Sequence, residues 1–306
     1  MLSEKLIQMG KYINPFTDWG FKRIFGQEVN KDLLIDFLNE LFAGEHHIHD
    51  IKFRDKEVLG EKRDMKNIVF DIFCDTDDGK HIIVEMQNSA MKHYIDRSIF
   101  YLSRAVSEQG VIGDWDYDLS HVYIISFLNF KPGDGALSKF RTDGKIRDTV
   151  TGEVLSEKVR FIYLVLPYFQ KEPEECESNF DCWIYVLNNM ETLERMPFLA
   201  RNAVFKKLAE ITDISTMTMA ERRVYDENLK IMRDHHSVYK TGFEEGEAKG
   251  ILKGKAEGRA EGRAEGRAEG KAETLHETAR NLKREGVPVN IIMKATSLSE
   301  EEINQL

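Results

Sequence analysis

Asp71, Glu85 and Gln87 are the residues whose types and spacing could do chemistry together. They flank Asp77-Asp78-Gly79, which fits a three-residue hairpin loop, a type I turn followed by a glycine in the left-handed conformation. Such a loop sets Thr76 opposite Lys80 and so Asp71 opposite Glu85, and the two-residue period of a strand puts Gln87 on the same face. Two carboxylates placed this way repel, and each raises the pKa of the other. A divalent cation removes the conflict. Mg²⁺ or Mn²⁺ takes oxygens from one or two carboxylates, leaves room for water or phosphate, and makes water acidic enough to attack phosphorus. The competing reading is a solvated hairpin face on which Lys22, Lys66 or Arg97 is the salt partner of the pair.

The opposite face of the hairpin carries Ile68, Phe70, Ile72 and Cys74 against Ile82, Val84 and Met86, wholly apolar and therefore core. The two strands, 67–75 and 80–87, follow an extended segment at 51–58 and an amphipathic helix in which Leu33, Leu34, Phe37, Leu38 and Leu41 fall at helical spacing. A helical pattern over 90–109 comes next, then strands at 121–128 and 159–166, the last stopped by Pro167. Helix, three strands, helix, strand is a mixed α/β core with its sheet covered on both sides. Between the last two strands, 130–158 is polar and holds Gly133, Gly135, Gly144 and Gly152, an exposed excursion or extra hairpin. From 181 to 239 the pattern is helical, with Trp183, Val186 and Leu187 on one face and Phe205, Leu208 and Ile211 on another, a helical cover.

The tail has glycine at every fourth position from Gly242 to Gly270. Its eight glycines each cost a helix about 0.8–1.0 kcal/mol relative to alanine. The Gly-Arg-Ala-Glu repeat also stacks like charges at i,i+4. Alone, this helix is marginal. Association along a row of Gly and Ala would rescue it and make the protein a homo-oligomer, and a solvated low-complexity linker is the alternative. Past it, 273–285 is helical, Gly286 suits a helix end, Pro288 a helix start, and Ser299 with Glu302 forms a capping box. This is a helix-turn-helix-like unit. Glu300, Glu301 and Glu302 crowd the start of its last helix, which favours a protein contact over DNA. The expected divisions are a core at 1–170, the cover at 171–240, the repeat at 241–272 and the terminal unit at 273–306.

With 306 residues, 42% hydrophobic and 31% charged, the chain can bury one substantial core and a smaller module. No signal pattern occupies 1–11 and no apolar run approaches the ~20 residues of a membrane helix, so a cytoplasmic protein without membrane contact is expected. Cys74, Cys176 and Cys182 are odd in number and lack paired spacing, as reduced structural thiols do. The net charge of −10 opposes nucleic-acid binding in general, but a metal site needs carboxylates and DNA contact can rest on a local basic strip. His46, His47 and His49 read as an exposed loop rather than a transition-metal site, as do His235 and His236. Phe16, Trp19, Phe21 and Phe25 read as core rather than as a base-stacking platform.

Several segments then point the same way. Asn14-Pro15-Phe16-Thr17-Asp18-Trp19-Gly20-Phe21-Lys22-Arg23-Ile24-Phe25-Gly26 opens the chain's ordered pattern. Phe70-Asp71-Ile72 and Ile83-Val84-Glu85-Met86-Gln87 form the hairpin, and Arg97, Tyr101, Tyr117, Leu119, Leu166-Pro167 and Trp183 follow at set places. Together with the glycine-repeat tail and the terminal unit, they resemble the PD-(D/E)XK nuclease superfamily, and within it the recombination-promoting nuclease (Rpn) and transposase family of bacteria. The resemblance implies a restriction-endonuclease-like αβββαβ core, Mg²⁺-dependent cleavage of DNA, and a role in recombination or mobile-element activity. It also implies that Asp71 and Glu85 bind the metal, that Gln87 orients water or phosphate where the superfamily has lysine, and that Asp18 adds a carboxylate. Gln87 carries neither the charge nor the proton of a lysine, which leaves activation to the metal. The alternative function is a non-catalytic DNA-binding or assembly protein on the same scaffold.

Overall fold

The computed structural model describes residues 10–55, 57–58, 68–133 and 135–306. The chain divides into two compact units, Met1–Ser237 and Val238–Leu306.

The first unit begins with α1 (Asp18–Phe25), capped by the Thr17 hydroxyl, which accepts from the Gly20 N–H, and α2 (Lys31–Leu41). Each helix has one apolar stripe. Phe21, Ile24 and Phe25 of α1 and Leu33, Leu34, Phe37, Leu38 and Leu41 of α2 are buried, because only that face can leave water. The strands are β1 (Ile51–Phe53), β2 (Glu57–Val58), β3 (Ile68–Val69), β4 (Ile72–Thr76), β5 (His81–Gln87), β6 (Val122–Leu128), β7 (Arg141–Arg147) and β8 (Val154–Val165). Six of them form one sheet in the order β1-β4-β5-β6-β8-β7, and β2 pairs with β3 in a separate ribbon. β1, β4 and β5 are antiparallel neighbours, whereas β5, β6 and β8 run parallel. Parallel neighbours need a crossover, and α3 (Tyr94–Ser107) provides it between β5 and β6. β6 is buried at every position, as a central parallel strand covered on both faces must be.

One face of the sheet packs with α1, α2, α4 (Asn179–Asn189) and α5 (Ala203–Thr212) around Phe25, Phe37, Phe127, Trp183 and Phe205. Tyr225 and Leu229, early in α6 (Met219–Arg284), join the same cluster. The expected cover is thus part of one hydrophobic core. Phe16, Phe21 and Phe25 are buried and Trp19 packs on Tyr225 at 5.7 Å, the core role expected of that aromatic set. The other face meets α3 through Phe73, Ile83, Tyr101, Leu102 and Ala105.

The structure corrects several expectations in detail. The strand expected at 67–75 breaks: β3 leaves for the β2 ribbon and β4 begins only at Ile72. Consequently Ile68 and Phe70 do not share a face with Ile72 and Cys74; they lie in the α3 cluster, Phe70 edge-on to Phe73 at 5.0 Å. The helix expected at 90–109 is shorter, Tyr94–Ser107. The polar segment at 130–158 is the second of its two expected forms, an extra hairpin: β7 pairs antiparallel with β8 at the sheet edge, with register shifts on either side of Ile146. His47 and His49 are exposed, as expected of their loop, whereas His46 is half-buried with its ring tilted against Phe42 at 4.6 Å. All three cysteines are buried and free, and burial pushes the Cys74 thiol up to about 12, which makes it inert.

The second unit is helical. α6 continues through the repeat to Arg284, and the space around each glycine from Gly242 to Gly270 is open. α7 (Val289–Thr296) and α8 (Glu300–Gln305) pack back on its end through Ala279, Ile292 and Ile303. Gly286 takes φ +77° where the chain reverses. Ser299 and Glu302 form the capping box of α8. Lys283 Nζ donates to the carbonyls of Ile303 and Asn304 at the α8 end.

Candidate active site

The hairpin between β4 and β5 turns at Gly79, whose φ of +81° requires glycine and whose N–H donates to the Thr76 carbonyl at 3.0 Å. Ile72 pairs with Val84, so Asp71, one residue before β4, stands across from Glu85. The two are tied crosswise. The Asp71 N–H donates to Glu85 Oε1 at 3.2 Å, and Asp71 Oδ2 accepts from the Met86 N–H at 2.8 Å. Carboxylate oxygens thus take ladder positions that carbonyls would otherwise fill, at the point where β3 and β4 part.

The pair does not lie on a solvated face. Glu85 is 1% exposed and its strand neighbour on β6 is Ser126. α3 covers this end of the sheet, with Tyr94 against Ser126 and Tyr101 edge-on to Phe70 at 5.5 Å. Arg97, one turn into α3, brings Nη2 to 4.0 Å from Glu85 Oε2 while its guanidinium lies over the Tyr101 ring, 4.8 Å from the centroid. Lys22 is held by Asp18 at 2.5 Å, and Lys66 lies outside the described residues.

Burial dominates the electrostatics. It pushes Glu85 up to about 8, with the negative charge of Asp71 adding to the effect and the Asp71 N–H, Arg97 and Lys22 opposing it. Asp71 is raised as well, by burial first and by the charge of Asp18 next, against the pull of the Met86 N–H, Lys22 and Arg97. Two adjacent acids that resist ionisation are a locus of unmet demand for positive charge. The donors are hard oxygens from two carboxylates, which fits a Mg²⁺- or Mn²⁺-type ion completing its shell with water or phosphate. Gln87 ends β5, partly exposed and two residues beyond Glu85. Asp18 is not drawn into the pair: it begins α1, bonded to Lys22 with its side chain 58% exposed, and acts on Asp71 through its charge. Among the described residues no three His, Cys, Asp or Glu side chains gather as a metal cluster.

Residues 15–242, which contain this site and all six strands of the sheet, match the family model described as PD-(D/E)XK nuclease family transposase. The chain belongs to that family. No match was found among curated proteins or among solved structures. The PD-(D/E)XK match stops before most of the repeat, leaving the terminal unit outside it, although the sequence resemblance extended that far. The mixed six-stranded sheet with its helices is consistent with a PD-(D/E)XK fold. Nucleases of this kind act on DNA and usually use divalent metals. No helix among the described residues is long and apolar enough to cross a membrane.

Sequence reasoning missed Ser126 and Tyr94 as neighbours of the pair. The only signal for Ser126 was a small hydroxyl inside the apolar run of β6, and nothing local marked Tyr94.

Proposed function

We propose that this chain is a metal-dependent DNA endonuclease that hydrolyses phosphodiester bonds and serves recombination or mobile-element activity. The observation that carries this reading is the burial of Glu85 directly across from Asp71, an arrangement that costs stability unless a cation joins it. Asp71 and Glu85 are the proposed ligands, for Mg²⁺ or Mn²⁺. A divalent cation held there supplies charge to phosphoryl oxygens and makes water a stronger acid. Asp71 stays oriented by the Met86 N–H, and Glu85 by the Asp71 N–H, so neither carboxylate needs to reorganise on binding. Gln87 orients water or phosphate by hydrogen bonding, and Asp18 adds negative potential from the start of α1.

DNA is the proposed substrate despite the net charge of −10. Lys92 and Lys131 stand in the loops leaving the C-terminal ends of β5 and β6, the same end that carries Glu85 and Gln87, and Lys22 and Arg97 lie beside the pair. These cations support a local basic path to the site. Homo-oligomerisation through the repeat tail would bring two sites to one duplex, and a cytoplasmic location fits the reading. The neutral Gln87 favours the second reading, a DNA-binding or assembly protein without useful turnover.

Plasmid cleavage by purified protein with Mg²⁺, Mn²⁺ or Ca²⁺ over a salt series separates the two. Metal-dependent nicking that vanishes in Asp71→Ala and Glu85→Ala supports the enzyme. Folded protein that binds DNA and cleaves under no condition supports the second reading.

A further inference from the structure

The pair Asp71–Glu85 has a cation beside it that hydrogen-bonds to neither acid. Arg97 Nη2 is 4.0 Å from Glu85 Oε2, beyond hydrogen-bond range. Among the described residues the guanidinium also lies over the Tyr101 ring, whose hydroxyl it can reach, and donates from Nη1 to the Met91 thioether at 3.5 Å. The side chain is about one-third exposed, although Glu85 is buried. Tyr101, itself packed edge-on against Phe70, fixes the plane of the guanidinium from below. The result is a planar fork held at the mouth of a carboxylate site, with no carboxylate among the described residues paired to it in fork geometry.

Lys22 is differently placed. It lies close enough to act on both acids, but its ammonium is bonded to Asp18 at 2.5 Å.

We propose that Arg97 is a further catalytic residue, whose guanidinium hydrogen-bonds a non-bridging oxygen of the scissile phosphate and supplies the positive charge that Gln87 lacks. The proposal rests on the nuclease reading above. In the reaction, the water oxygen forms a bond to phosphorus while the bond from phosphorus to the leaving sugar oxygen breaks. One water proton goes to solvent, the leaving oxygen is protonated, and nothing is oxidised or reduced. Arg97 keeps its protons throughout, since a guanidinium does not titrate in this range. Its contribution is to balance the charge that builds on the equatorial oxygens, which strengthens as the site dries around the substrate.

The test compares wild type, Arg97→Gln and Arg97→Lys on one duplex, by single-turnover cleavage with Mg²⁺ and by DNA binding with Ca²⁺ across a salt series. The expected result is a loss of about 10²–10³-fold in cleavage rate for the Gln variant at saturating DNA, with partial recovery in the Lys variant. The slope of log binding constant against log salt should shrink by about one in the Gln variant. A residue that only balances Glu85 would act through the Glu85 pKa and metal affinity, so its loss would leave the slope unchanged and the rate would recover at saturating Mg²⁺ and alkaline pH. An unchanged rate and an unchanged slope would overturn the proposal. If wild type cleaves under no condition, the nuclease reading fails, and the Ca²⁺ slope still decides whether Arg97 touches phosphate. If the Gln variant does not fold, the Lys variant decides: its cleavage must slow by about tenfold or more with the slope kept, and a wild-type rate would overturn the proposal.

Discussion

Asp71 and Glu85 hold each other through a backbone amide: the Asp71 N–H donates to Glu85 Oε1 at 3.2 Å, at the residue where β3 and β4 separate. The bend that breaks the strand is therefore also what aims one acid at the other. Glu85, which accepts this structural bond and is also a proposed metal ligand, should show both roles under mutation.

Glu85→Gln keeps the shape and the acceptor for the Asp71 N–H while removing a buried charge. We expect the variant to lose cleavage and, in chelator at alkaline pH, to be more stable than wild type by on the order of 1–3 kcal/mol. Urea denaturation of both proteins in EDTA measures this, and a variant less stable than wild type would contradict the burial cost assigned to Glu85.

The pH dependence follows from the same group. The folded-state pKa of Glu85 is raised, to about 8 from an ordinary 4.5, so between those values the folded protein binds more protons than the unfolded chain. Stability without metal is then fully present at the acid end and falls as pH rises from about 4.5 through about 8, and the raised Asp71 acts with the same sign. The Glu85→Gln variant should show a shallower decline across that window. Adding Mg²⁺ to wild type should restore stability most at the alkaline end, as thermal melts at several pH values would reveal.

Phe37 sits among Phe25, Phe127, Phe180 and Trp183, with ring centroids 5.3 to 6.0 Å away. Phe37→Ala should cost about 3–5 kcal/mol. Because α2 and the sheet meet there, the urea midpoint should fall with little change in slope. A loss under about 1 kcal/mol would mean that the cluster collapses to refill the space.

Removing residues 242–306 should leave Met1–Ser237 folded, since that unit has its own core, and should lower the oligomeric state. Unchanged sedimentation would count against an assembly role for the tail. Changing Gly258, Gly262, Gly266 and Gly270 to Ala meets open space at each position and should raise helicity by circular dichroism. If the same change weakens self-association, the glycines are serving close approach between helices.

The hairpin was legible in the sequence because its determinants are local. Asp77-Asp78-Gly79 fixes the turn, the turn fixes the register, and the two-residue period carries Asp71 across from Glu85, where the structure has them. The same holds for α2, whose five buried apolar residues follow the helical period, and for the Ser299–Glu302 capping box of α8. The break at Phe70-Asp71, the burial of Glu85 beneath α3, its pairing with Ser126 and the reach of Arg97 were decided only by the tertiary structure. Each depends on a neighbour brought in from a distant segment: the β2 ribbon, the parallel strand β6, or the crossover helix. Local spacing sets which residues share a face. Whether that face meets water or another layer is settled by long-range packing, and that packing takes Glu85 of the two facing acids out of water.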